Sequence, residues 1–288
     1  MHVRTRFAPS PTGPLHLGHA FSALRAHDIA VQLSGEFLLR IEDIDQSRSK
    51  PAWEAQIYDD LSWLGLRWPT PVLRQSDRYE AYRAALQELW DRNAIFQCRC
   101  NRKDILAAIS APQEGGDLPV GPDGVIYPGT CRKTSSHVKA PSPVDDVALR
   151  LDMSKAVRDK SYSFMETGAG PNGETGLIAF DGQEVLRAIG DVVLARRDIG
   201  TSYHLSVVLD DAAQAITHVV RGQDLFEATK IHVVLQHLLG LPTPIYHHHR
   251  LIRDEAGKRL AKRDDARAIL KYREDGVTAD QIRAKVGL

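Results

Sequence analysis

Arg6-Phe7-Ala8-Pro9-Ser10-Pro11-Thr12-Gly13-Pro14-Leu15-His16-Leu17-Gly18-His19 is the stretch on which the reading of this chain turns. Val3 to Ala8 reads as a short strand. Pro9, Pro11, Gly13 and Pro14 make a turn that cannot be helical, and the apolar spacing from Leu17 onward predicts a helix. A strand therefore feeds a loop at a helix N-terminus, where unpaired backbone N–H groups and the positive end of the helix dipole suit a phosphate. His16 and His19, three apart on the first turn, can face one point and donate hydrogen bonds to a charged phosphoryl transition state. Gly18 leaves room between them for a flat nucleotide to approach.

His16-Leu17-Gly18-His19, coming after Pro9-Ser10-Pro11-Thr12-Gly13-Pro14, resembles the HIGH signature of class I aminoacyl-tRNA synthetases. The wider run from Arg6 to Gly13 is similar to their glutamate-specific branch. The resemblance implies an α/β fold with a Rossmann-like parallel sheet and an ATP site using His16, Gly18 and His19, with Mg²⁺ on the phosphates.

Outward from this stretch, the helix from Leu17 is expected to stop at Gly35 as its C-cap, and Phe37 to Ile41 reads as a buried strand ending in Glu42-Asp43-Ile44-Asp45. A doubly wound sheet seats ligands beyond the carboxyl ends of its strands, so Glu42 falls where the first loop points and can hold a substrate ammonium group. Arg40-Ile41-Glu42-Asp43-Ile44-Asp45 also resembles the family's segment at that place. Ala52 to Leu64 and Tyr79 to Trp90 read as helices, with Ser76 or Asp77 capping the second.

Ala148 to Met153 reads as a strand, and the apolar runs Asp191 to Leu194 and Leu205 to Leu209 as strands returning to the main sheet, with Tyr203 at the edge of one. Tyr203 lies in a segment similar to the family's glutamate pocket. Ile216 to Arg221 is a strand, Gly222 a turn, and Asp224 the expected cap of a helix running to Gly240. Arg6 and Arg221, both at strand ends, offer planar forks that match carboxylates. With Glu42 they complement a zwitterion with one further carboxylate, which is L-glutamate; Ser10 belongs to the same expected site by resemblance. Glutamine would leave an arginine unmatched, at a cost of about 1 to 3 kcal/mol or more. His247, His248 and His249 are adjacent in a strand, so they cannot converge on one metal.

Residues 97 to 175 are rich in Gly, Pro, Ser and Asp and hold all three cysteines, Cys98, Cys100 and Cys131. Three thiolates suit Zn²⁺ and leave one ligand position, for which Tyr127 and His137 compete; histidine is the commoner ligand. Cys-x-Cys with Tyr-x3-Cys resembles the zinc site of a short paralogue of glutamyl-tRNA synthetase, and that resemblance selects Tyr127. The zinc would be a structural clip.

Arg259-Leu260-Ala261-Lys262-Arg263 resembles the family's second signature, Lys-Leu-Ser-Lys-Arg, with arginine and alanine in place of the first lysine and the serine. Lys262 is kept where a cation must neutralise the leaving pyrophosphate. Ala266 to Tyr272 and Thr278 to Val286 suit short helices, too little chain for an anticodon-reading domain.

The domain layout expected from these readings has four parts. Residues 1–96 and 191–245 form two halves of a catalytic domain, 97–190 an inserted zinc-bearing acceptor-type lobe, and 246–288 the second signature with short helices. Resemblance to the short paralogue implies that glutamate is activated with ATP and then esterified onto the queuosine base in the anticodon of tRNA(Asp). Basic residues near Arg99, Arg102, Lys103, Arg132 and Lys133 would guide the anticodon loop. Competing expectations are a truncated synthetase charging a tRNA 3′ end and an inactive RNA-binding paralogue.

Among 288 residues, 37 basic and 37 acidic side chains cancel, which speaks against wholesale non-specific nucleic-acid binding. No signal-peptide core or long apolar span is present, so a cytoplasmic protein with no membrane role, acting as a monomer, is expected. The three cysteines make no disulfide framework.

Overall fold

The computed structural model describes residues 2–110, 119–132, 147–157, 160–253 and 267–288. Up to the cysteines, the elements are β1 (Arg4–Phe7), α1 (Leu17–Gln32), β2 (Glu36–Ile41), α2 (Pro51–Trp63), β3 (Leu73–Arg74), α3 (Tyr79–Asp91) and β4 (Ile95–Cys98). Then come α4 (Arg102–Ser110), β5 (Val120–Gly121), β6 (Gly124–Val125), β7 (Ala148–Leu151), α5 (Met153–Val157), β8 (Ser161–Glu166), β9 (Gly176–Asp181), α6 (Gly182–Ala188) and β10 (Val193–Ala195). The last are α7 (Tyr203–Ala213), β11 (His218–Gly222), α8 (Ala228–Leu238), β12 (Ile245–His249), α9 (Ile269–Glu274) and α10 (Ala279–Val286).

β1, β2 and β3 pair in parallel, and so do β11, β12 and β8, with β9 antiparallel at the far edge. The two sheets meet where β1 lies beside β11: Thr217 N donates to Arg4 O at 3.0 Å, and Arg4 N donates to Thr217 Oγ1 at 2.8 Å. Parallel strands bring their carboxyl ends to one edge, so Ala8, Glu42, Gly222 and His249 come out on the same side.

α1 presents Ala20, Ala23, Leu24, Ala26, Ile29 and Ala30 inward. Its many alanines let the helix lie close on β1, β2 and β11 while Phe21 and Leu24 fill the core. α10 closes the other side of α1 through Ile282 and Val286, with Arg283 paired to Asp28 at 2.6 Å. Thr278 and Gln281 cap α10 reciprocally, as the sequence predicts for its start. Among the described residues no helix is long and apolar enough to cross a membrane.

Several local expectations are corrected. Leu205 to Leu209 lies in helix α7, opened by Ser202, whose hydroxyl accepts from Leu205 N. That helix buries residues on almost every side, so its apolar run carries no helical stripe and mimics a strand. Tyr203 is therefore the first residue of a helix and not the edge of a strand. The run 191–194 leads into β10, which pairs antiparallel with β7 and not with the main sheet.

Within residues 97–190, β8 hydrogen-bonds to β12 of the main sheet, and β9 joins that sheet through β8. α1 ends before Gly35; Ser34 takes the left-handed backbone at φ 50°, and Gly35 is needed because a Cβ there would meet Val3 O at 2.5 Å. Neither Ser76 nor Asp77 caps α3, which continues a 3₁₀ turn spanning Gln75–Arg78. Asp224 does not cap α8 either; it sits in the 3₁₀ turn Gln223–Leu225, ahead of an N-terminus with no side-chain cap.

Candidate active site and metal centre

The carboxyl ends of β1, β2, β11 and β12, together with the first turn of α1, enclose a cavity of about 390 Å³. Arg6, His16, Gly18, His19, Glu42, Tyr203 and Arg221 all line it, so most residues singled out from the sequence converge there. Ser10 is not on the lining; its carbonyl accepts from Thr12 N at 2.8 Å within the turn after β1. Lys262, like Arg259 and Ala261, lies outside the described residues. On the near side of that segment Leu251 and Ile252 line the cavity, and on the far side Ile269 N donates to Leu15 O at 2.8 Å.

The two signature histidines cap α1 themselves. His16 Nδ1 accepts from Gly18 N at 3.1 Å, and His19 Nδ1 accepts from His16 N at 3.1 Å, a reciprocal cap built from imidazoles. A ring nitrogen that accepts an N–H carries no proton, so a neutral imidazole held this way keeps its hydrogen on Nε2. Both rings are thus set as Nε2–H donors, and they lie against each other with centroids 3.8 Å apart. Gly18 is needed because a Cβ there would stand 3.0 Å from His16 Cε1. Gly18 also lines the open cavity.

Beneath the cavity is a charge cluster of which only part was legible in sequence. Asp211 accepts from Arg6 Nε at 2.9 Å and from Arg40 Nη1 at 2.7 Å, and Arg40 Nη2 donates to Glu42 at 3.1 Å. Arg40 is wholly buried and Arg6 is 5% exposed. Burial works to raise the Asp211 carboxyl, but Arg6 and Arg40 outweigh it and hold it below the usual range. For Glu42 burial wins, and the carboxyl is pushed up despite Arg40. Burial likewise raises the Tyr203 phenol.

The two arginines differ in their partners. Arg6 is matched by Asp211, whereas among the described residues Arg221 donates to neutral acceptors: His248 Nε2 at 3.1 Å, His232 Nδ1 at 3.0 Å, Thr229 Oγ1 at 2.6 Å and Leu225 O at 3.3 Å. Its charge stays available to an incoming carboxylate, while its geometry is fixed on several sides. The buried Glu166 carboxylate accepts from His248 Nδ1 at 2.5 Å and steadies that ring. Sequence reasoning missed Arg40, Asp211, Glu166, His232 and His248 as parts of this site. Arg40 stands inside the quoted Arg40–Asp45 segment, and Asp211 lies two residues beyond the Leu205–Leu209 run that reads as a strand.

In the lobe, β4, β7 and β10 form an antiparallel sheet, and the loop after β4 brings the cysteines together. The sulfurs of Cys98, Cys100 and Cys131 all lie within 4.8 Å of one another, Cys100 and Cys131 at 3.4 Å. Tyr127 Oη is 3.5 Å from Cys98 Sγ and 3.6 Å from Cys100 Sγ. Zn–S bonds of about 2.3 Å at tetrahedral angles put sulfurs about 3.8 Å apart, so this donor set fits a single zinc. Burial raises the Cys131 thiol, but hydrogen bonds from Tyr127 and the backbone of Arg99 and Cys100 bring it down to about 7. His137, the rival ligand, and Lys133 lie outside the described residues. Arg132 is tied to Asp191 within the lobe, with Nε at 2.9 Å, so its charge is already matched.

A helix N-terminus capped by two imidazoles, set over parallel strands whose ends carry a carboxyl group and an arginine, is an arrangement of the class I synthetase kind. The family model described as "tRNA synthetases class I (E and Q), catalytic domain" matches residues 2–288, and the chain belongs to this family of ligases. A glutamyl-Q tRNA(Asp) synthetase of Rhodobacter capsulatus is 60% identical over 284 residues, covering 99% of each chain. One of the same name from Symbiobacterium thermophilum is 36% identical, over 96% of this chain and 83% of that one. Among solved structures, a glutamate tRNA ligase from Elizabethkingia meningosepticum in complex with its amino acid superposes with TM-score 0.69 at 27% identity, over 92% of this chain and 52% of that one. Methionyl-tRNA synthetase of Mycobacterium tuberculosis shares the fold, with TM-score 0.61 at 10% identity over 99% of this chain and 64% of that one.

Proposed function

We propose that this protein activates L-glutamate with ATP and transfers it to the queuosine base in the anticodon of tRNA(Asp). The observation that carries the amino-acid choice is that one cavity is lined by Glu42, His16, His19 and an Arg221 that meets neutral acceptors among the described residues. The tRNA choice is supported by end-to-end similarity to relatives named for that reaction.

In the first step a glutamate carboxylate oxygen attacks the α-phosphorus of ATP, the bond to pyrophosphate breaks, and glutamyl adenylate forms. His16 and His19, as Nε2–H donors, stabilise the charge growing on the phosphoryl oxygens, and Mg²⁺ accompanies ATP. Lys262 neutralises the departing pyrophosphate. Glu42 receives the substrate ammonium, while Arg6, Tyr203 and Arg221, which line the cavity, hold its carboxylates and body. In the second step a hydroxyl of the queuosine cyclopentene ring attacks the acyl carbon and AMP leaves. Cys98, Cys100, Tyr127 and Cys131 would hold Zn²⁺ as a clip on the lobe, away from the reacting atoms.

Pyrophosphate exchange into ATP, run with glutamate and no tRNA, tests the first step. Exchange that requires glutamate and is absent with glutamine is the expected result. Exchange with another amino acid, or only when tRNA is present, overturns the reading.

A further inference from the structure

A chain of ring nitrogens runs from Arg221 to the surface of the lobe. Arg221 Nη1 lies 3.0 Å from His232 Nδ1, His232 Nε2 lies 3.1 Å from His204 Nδ1, and His204 Nε2 lies 3.2 Å from Asp123 Oδ1. The direction of every bond follows from its first donor. A guanidinium only donates, so His232 Nδ1 accepts and its proton is on Nε2. That proton goes to His204 Nδ1, which therefore accepts, and the His204 proton sits on Nε2 facing the carboxylate. A protonated His204 would leave the His232 ring with no proton at all, so the neutral order is the one that satisfies all four groups. Burial, followed by the charge of Arg221, holds His232 well below the ordinary imidazole range, in keeping with a neutral ring.

Both rings are buried, at 2% exposure for His232 and 7% for His204, and Tyr203 packs edge-on to each, with centroids 5.6 and 5.5 Å away. Asp123 is different in kind: its side chain is 44% exposed, and it stands at the turn of the two-stranded ribbon β5–β6, in the stretch between β4 and β7 that also carries Tyr127. The ribbon is seated closely, because a Cβ on Gly121 would meet Ala188 O at 2.5 Å. A surface carboxylate of the lobe thus terminates the row of hydrogen bonds that orients the cavity arginine.

We propose that Asp123 is a positioning residue for the amino-acid site, acting through His204 and His232 to fix Arg221. The inference rests on the reading of the cavity as a glutamate site. It gives the lobe a direct hold on amino-acid binding: whatever displaces the ribbon releases the Arg221 fork from one side.

The test uses the full chain with three variants. Asp123→Ala removes the terminal acceptor, Asp123→Asn keeps an acceptor oxygen, and Val120→Ala changes an exposed ribbon residue outside the row. In glutamate-dependent pyrophosphate exchange, Asp123→Ala is expected to raise KM for glutamate about fivefold with kcat and KM for ATP nearly unchanged. Asp123→Asn should recover most of the loss, and Val120→Ala should match the wild type. In parallel, the ¹⁵N shifts of His204 and His232 in the free protein should report Nε2–H tautomers, and because Arg221 sets the direction of the row they should stay so in Asp123→Ala. Unchanged KM for glutamate in Asp123→Ala, or an Nδ1–H tautomer at either ring in the wild type, overturns the proposal. A wild type that exchanges with a different amino acid would overturn the glutamate reading alone, and the ring tautomers would still judge the row.

Discussion

Replacing Asp211 by asparagine would strike the centre of the buried charge cluster. Asp211 contacts two guanidiniums, Arg6 at 2.9 Å and Arg40 at 2.7 Å, and Arg40 is fully buried. Asparagine keeps the shape but loses the charge, and its NH₂ would face Arg6 Nη2, which now donates to Oδ2 at 3.2 Å. Glu42 and the more distant Asp210 would then be left to balance the buried cations. Removing one partner of a buried ion pair costs about 3 to 5 kcal/mol, a large part of the roughly 5 to 15 kcal/mol that keeps a protein folded. Asp198→Asn is the matched control, since its pairing with Arg196 is 62% and 47% exposed and such pairs contribute about 0 to 1 kcal/mol.

Urea unfolding followed by far-ultraviolet circular dichroism compares the two variants. A carboxyl held below its unfolded value of about 4 stabilises the fold above that pH, and this contribution is lost as pH falls toward the folded value. The gap between wild type and Asp211→Asn should therefore be full at pH 7 and shrink below about pH 4. A loss under about 1 kcal/mol for Asp211→Asn, or equal losses for both variants, would refute the reasoning.

Gly18→Ala would put a methyl 3.0 Å from His16 Cε1 and displace that ring, so the exchange rate should fall about tenfold or more with thermal stability little changed; an unaffected rate contradicts the role given to His16. Glu42→Gln removes the anionic acceptor for the substrate ammonium, and KM for glutamate should rise about tenfold or more while KM for ATP holds. Cys131→Ser, measured by metal analysis of the purified protein, should lose bound zinc while glutamate activation persists. Activity that disappears with the metal would move the zinc from a clip to part of the reaction machinery.

The parts of the site that sequence revealed are those fixed by local chemistry. His16 and His19 sit on one turn next to a strand end, and Glu42 and Arg221 each close a strand, so their convergence follows from parallel pairing alone. The cysteine cluster was legible because Cys98 and Cys100 are neighbours and Tyr127 precedes Cys131 by one turn's length. What stayed hidden depends on contacts far apart in the chain. Asp211 meets Arg6 across 205 positions, and Glu166 meets His248 across 82. Helix α7 carries Tyr203, His204 and Asp211, and its stretch Leu205 to Leu209 reads as a strand because the helix is buried almost all round. With its period concealed, the inward direction of its polar residues was concealed too.

The most direct measurement is transfer of labelled glutamate, with ATP, onto tRNA from cells with and without queuosine. Label confined to queuosine-containing tRNA(Asp) is the expected result. Equal labelling of both preparations would mean charging of a tRNA 3′ end, and no label on either, with exchange also absent, would mean that the cavity no longer activates glutamate.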